Sequence, residues 1–156
     1  KEEEKMDKKE PAKRINVVSI KMVKESSILY DIRRIQAPKD AVELGKRFLE
    51  ESDREKLLVC CLDAKNQPTA INVVSVGNLN NSLVHPREVF KPAILSNSAS
   101  IILFHNHPTG DPTPSNEDKL ITERLRESGE ILGIKLIDHI IIGDNSYYSL
   151  KEKGII

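Results

Sequence analysis

The chain has 156 residues, enough for one domain with its own core, and its 24 Lys and Arg residues balance 24 Asp and Glu. Zero net charge removes a global basic excess as a source of phosphate-driven affinity for nucleic acid. Hydrophobic residues make up 38% and aromatic ones only 4%, so aliphatic side chains must build the core, and no apolar run approaches the ~20 residues that cross a bilayer.

Residues 1–14 are almost all charged or small and read as a flexible tail, which leaves 15–156 as a single domain. The N-terminus has no apolar core of the secretory kind. Cys60 and Cys61 are adjacent on an apolar run, and neighbouring strand side chains point to opposite faces, which does not suit a disulfide. A reduced, soluble, cytoplasmic protein is the expectation.

Partial alternation over 15–24 (Val18, Ile20, Met22) predicts a half-buried strand, paired within the chain or across a dimer, so the oligomeric state stays open. Leu29, Ile32 and Ile35 suit a short strand or an irregular crossing that Pro38 ends. Asp40 is the expected N-cap of a first helix, with Glu43 three residues on and an apolar stripe of Val42, Leu44, Phe48 and Leu49. The run 57–62 reads as a central strand covered on both faces, 63–68 as a turn and 69–76 as its hairpin partner. A loop over 77–82 precedes a helix with Pro86 in its first turn and Val89, Phe90, Ile94 and Leu95 on its apolar face. A strand over 99–104 follows. Ser115 then caps a helix that runs to Gly133, with Glu117 and Asp118 in the first turn. Strands over 134–142 and 146–150 complete the chain. The fold class is α/β, a mixed sheet with helices packed on it in α/β/α layers.

Chemistry concentrates in 101–118, IILFHNHPTGDPTPSNED. A strand that persists through His105 and His107 places both imidazoles on one side, as two ligands of one ion require. Asp118 returns from the following helix after a loop stiffened by Gly110, Pro112 and Pro114. Two imidazoles and a carboxylate leave a fourth tetrahedral position for water, the pattern of catalytic zinc, where bound water has a pKa of ~7. A further carboxylate must then move the proton, and Ser115 is placed to bond the water or the oxyanion. Each residue alone has a plainer reading: an incidental histidine pair, a helix cap. Together their spacing is a much narrower pattern.

The segment HNHPTGDPTPSNED (105–118) matches the JAMM motif of the MPN metalloprotease-like domains, and its surroundings resemble the RadC-like branch. SLVHPREVFKPAI (82–94), HPTGDPTPS (107–115) and LIDHIIIGD (136–144) support this, and the likeness covers about residues 38–154. It implies a curved mixed sheet between helices, of the cytidine-deaminase-like MPN/JAMM kind, with one Zn2+ per chain on His105, His107 and Asp118. It also implies a glutamate base from the segment entering the first central strand. Glu55 occupies that place; the rival is Glu88, whose plainer role is a favourable charge at its helix N-terminus. His85 is expected as a loop or cap residue, His139 as a satisfied core or edge histidine, Asp111 as a turn former, and Asn106 pointing away from the metal.

The expected activity is zinc-dependent hydrolysis of a peptide or isopeptide bond in a peptide or protein substrate. Deaminase and zincin signatures are absent. A DNA-associated accessory factor, in repair or mobile-element context, is one alternative. RadC-like proteins often carry an N-terminal helix-hairpin-helix region, which a chain of this length is expected to lack, and basic pairs such as Arg33–Arg34 are scattered. A non-catalytic MPN-type interaction module is another alternative, disfavoured because the metal residues are all kept. No membrane partner is expected.

Overall fold

The computed structural model describes residues 8–80 and 84–156. These described residues form eight elements in order: α1 (Pro38–Leu49), β1 (Lys56–Leu62), β2 (Pro68–Val76), α2 (Pro86–Leu95), β3 (Ser100–Asn106), α3 (Asn116–Leu132), β4 (Lys135–Ile142) and β5 (Tyr147–Ser149). The strands form one mixed sheet in the order β2-β1-β3-β4-β5. Among the described residues only β3 and β4 are parallel neighbours, and α3 is the crossover that a parallel pair needs.

Alternation along the central strands divides the core in two. Leu57, Val59, Cys61, Ile101 and Leu103 face α2 and α3, where they meet Val89, Phe90, Ala93, Ile121 and Leu125. Leu58, Cys60, Leu62, Ile102 and Phe104 face α1 and its Val42, Leu44 and Leu49. The layers are therefore α/β/α, as the pattern of elements implied. Cys60 and Cys61 fall on opposite faces, both free and fully buried. Burial pushes the Cys60 thiol up to about 12, so it serves as core packing.

The first helix begins earlier than the sequence suggested. Ala37 is its N-cap and Pro38 occupies the first turn, where proline's fixed φ and missing N–H cost nothing. Asp40 caps from inside the helix instead, its Oδ2 accepting from the backbone N–H of Gln36 (3.0 Å) and Ala37 (3.1 Å). A second correction concerns 15–24, which forms no strand. That stretch carries no regular secondary structure and is exposed, with Ile15, Val18 and Ile20 in solvent, because alternation specifies a strand only where a neighbour completes the ladder. The crossing at 29–35 is irregular: Ile35 is buried, and the Arg47 guanidinium donates to the Leu29 carbonyl. Residues 1–7 of the expected tail, 81–82 of the loop and residue 83 lie outside the described residues. No helix among the described residues is long and apolar enough to cross a membrane.

Candidate metal centre

Strand β3 continues two residues past the predicted end, so His105 is its penultimate residue and fully buried, while His107 lies just beyond it. The His107 N–H donates to the Ile142 carbonyl at 2.9 Å, which keeps the chain in register with β4 past the strand end. Gly110 then turns the loop back at φ +92, its N–H donating to the His107 carbonyl at 2.9 Å and its own carbonyl accepting from Asp144 N at 2.8 Å. A Cβ there would lie 2.5 Å from the Asp144 carboxylate, so both conformation and space require glycine.

The loop delivers Ser115 as N-cap of α3. Its Oγ accepts from Asp118 N (3.1 Å), while its own N–H donates to Asp118 Oδ2 (2.8 Å). This reciprocal pair is a capping box, and it also orients the Asp118 carboxylate toward the histidines. Asp118 Oδ1 lies 3.3 Å from His105 Nε2, Asp118 Oδ2 lies 3.1 Å from His107 Nε2, and the two Nε2 atoms are 2.9 Å apart. Site and helix cap are thus one structure at the carboxyl end of a parallel strand, where open α/β sheets bind ligands.

Glu55 approaches from the entry to β1, with Oε1 at 3.9 Å from His105 Nε2 and 4.0 Å from His107 Nε2. Its Oε2 accepts from Leu79 N at 3.3 Å. Asn106 holds the flanks of Glu55: its Oδ1 accepts from Lys56 N (2.8 Å) and its Nδ2 donates to the Arg54 carbonyl (2.9 Å). Its side chain does point away from the ligand cluster, as expected, and it has a task there.

Among the described residues, one ligand atom each from Glu55, His105, His107 and Asp118 lie within 4.8 Å of one another, a group able to hold a metal ion. The donor chemistry fits a cation. His107 Nδ1 sits 2.8 Å from the Asp111 carbonyl, which can only accept, so Nδ1 carries a proton and the neutral ring turns an Nε2 lone pair inward. That lone pair faces a second imidazole nitrogen and two carboxylates, all of them metal-donor atoms. Burial pushes the Asp118 carboxyl up, but when His105 and His107 are protonated and metal-free their hydrogen bonds to it outweigh burial and hold the group well below the usual carboxylate range. The Asp118 hydrogen bond raises His107, against the pull of burial.

Other sequence candidates fall elsewhere. Glu88 is exposed on α2 and pairs with Lys91 at 2.9 Å, outside the cluster. His85 is the N-cap of α2. The Asp111 carboxylate accepts from Thr113 N and Oγ1, forming the turn, while its carbonyl orients His107. Two residues beside the site were not given a role in it. His139, read as a satisfied core or edge histidine, is fully buried with Nε2 at 2.6 Å from His105 Nδ1; burial, then the charge of His105, holds its pKa well below the ordinary histidine value. Thr122, also fully buried, is 2.6 Å from His139 Nδ1. A polar residue one helical turn after Asp118 was the only local signal for Thr122.

Comparison with known proteins agrees with this geometry. A UPF0758 protein of Methanosarcina barkeri is 51% identical over 124 residues, covering 80% of this chain and 54% of the relative. One from Desulforamulus reducens is 55% identical over 122 residues (78% and 54%), and one from Clostridium beijerinckii 54% over 123 residues (79% and 54%). The chain spans about half the length of the curated relatives it matches. The RadC-like JAB domain family model matches residues 35–155, which takes in every helix and strand among the described residues and all four residues of the cluster able to hold a metal ion. With that span and that site, the chain belongs to the RadC-like JAB domain family.

Proposed function

We propose that this domain is a zinc-dependent hydrolase of an amide bond, peptide or isopeptide, in a peptide or protein substrate. The observation that carries this reading is the unequal placement of the two carboxylates. Asp118 lies 3.1–3.3 Å from the imidazole nitrogens, whereas Glu55 stands back at 3.9–4.0 Å and is tethered to Leu79 N. Three close donors and one stand-off carboxylate suit three ligands and a base.

His105, His107 and Asp118 would hold the zinc, which would supply a water of lowered pKa and polarise the scissile carbonyl. Glu55 takes the proton from the attacking water and returns it to the leaving amine as the C–N bond breaks. Ser115 Oγ accepts from Asp118 N through a lone pair, which leaves its hydroxyl hydrogen to donate to the tetrahedral oxyanion.

The test is a zinc-replete proteolysis screen of cellular extract with wild type and Glu55→Gln, with metal content measured in parallel. Cleavage by wild type, lost in Glu55→Gln at unchanged zinc content, is the expected result. Full activity in Glu55→Gln would overturn the base assignment. Zinc binding without any cleavage, or salt-dependent binding to DNA, would favour the interaction module or the DNA-associated factor.

A further inference from the structure

We infer that His139 and Thr122 are positioning residues that set the hydrogen-bond polarity of the buried ligand His105, so that its Nε2 lone pair faces the metal. This rests on the metal-centre reading and is independent of whether the domain hydrolyses anything.

Carbonyl oxygens can only accept, and that decides every role in the chain. Thr122 Oγ1 is 2.6 Å from the Asp118 carbonyl, so its single hydroxyl hydrogen is donated there. Toward His139 Nδ1, also at 2.6 Å, Thr122 can therefore only accept, and Nδ1 must carry the His139 proton. A neutral His139 then has a bare Nε2, which accepts from His105 Nδ1 at 2.6 Å. His105 is left with its lone pair on Nε2, 3.3 Å from Asp118 Oδ1 and 2.9 Å from His107 Nε2. His107 reaches the same tautomer directly, through the Asp111 carbonyl. At His105 Nδ1 the partner is instead an imidazole from β4, backed by a hydroxyl from α3. The relay closes on itself, because its last acceptor is the backbone of Asp118, another ligand. All three of His105, His139 and Thr122 are fully buried, away from bulk water. Such outer partners of metal-bound histidines typically contribute about 10- to 100-fold in metal affinity.

The experiment measures zinc affinity by competition with a chromophoric chelator in wild type, His139→Leu, His139→Gln, Thr122→Val and Thr122→Ser, with circular dichroism to verify folding. Glutamine keeps an acceptor toward His105 and a donor toward Thr122, and serine keeps the hydroxyl. His139→Leu and Thr122→Val should weaken zinc binding by about 10- to 100-fold, and the Gln and Ser variants should recover most of it. Long-range 15N–1H spectra of the zinc-loaded wild type should show His139 protonated at Nδ1 and bare at Nε2. Equal zinc affinity in all five proteins, or a proton on His139 Nε2, would overturn the inference, and the spectrum decides even if a variant fails to fold. Absence of zinc binding by folded wild type would overturn the metal centre itself and this inference with it.

Discussion

Asn106 joins the two halves of the site. Its amide bonds the backbone on both sides of Glu55, at Arg54 and Lys56, from a position between the two histidines. Asn106→Ala removes both bonds and leaves a donor and an acceptor unpaired in a part-buried place, at an expected cost of about 1–3 kcal/mol. The denaturation midpoint should fall accordingly while metal content holds, because His105 and His107 keep their own anchors. Proton competition gives a second prediction. Metal binding needs His107 neutral at Nε2, and its pKa in the metal-free site is raised, so protons compete at higher pH than at an ordinary histidine of about 6.5. Chelator competition at pH 6 and pH 8 should show weaker binding at the lower pH, and His105, His107 and Asp118 were legible from sequence because strand alternation and a helix cap are local rules. The partners of His139 lie 34 and 17 residues away, a distance over which no spacing rule reaches.

At the level of elements, α1 approaches the sheet closely enough that its position depends on a missing side chain. A Cβ on Gly45 would lie 2.6 Å from Phe104 Cδ1, and Phe104 is the buried residue before His105. Gly45→Ala should therefore destabilise the fold by about 1–3 kcal/mol through overpacking, despite alanine's better helix propensity. A denaturant midpoint that rises instead would show that α1 shifts freely. Elements with strong local signals were readable: the Ser115 cap and left-handed Gly133 bound α3 as the sequence implied. The start of α1 was misread because Asp40 is a good cap from two positions, and Pro38 settles which is used. The stretch 15–24 was misread for a different reason, since alternation reports a preference and pairing depends on a neighbour.

For the whole molecule, metal and fold are linked. The proposed ligands His105, His107 and Asp118 come from the end of β3 and the first turn of α3, so an ion held by them would stabilise only the folded chain. At free zinc 100 times Kd the gain is about 2.7 kcal/mol, and at roughly 2–4 °C per kcal/mol for a domain of this size the thermal midpoint should rise by several degrees. A strong chelator should reverse the shift, and His139→Leu should reduce it. Sheet order belongs to this scale as well. The α/β class was readable from the succession of elements, but the placing of β3 between β1 and β4 follows from long-range burial that no single segment displays.

The most direct measurement is zinc content by elemental analysis in purified, zinc-equilibrated wild type beside His105→Ala, His107→Ala and Asp118→Ala, each verified as folded. One zinc per wild-type chain, lost in all three variants, is the predicted result. Zinc content indistinguishable between the wild type and the folded variants would contradict the metal centre.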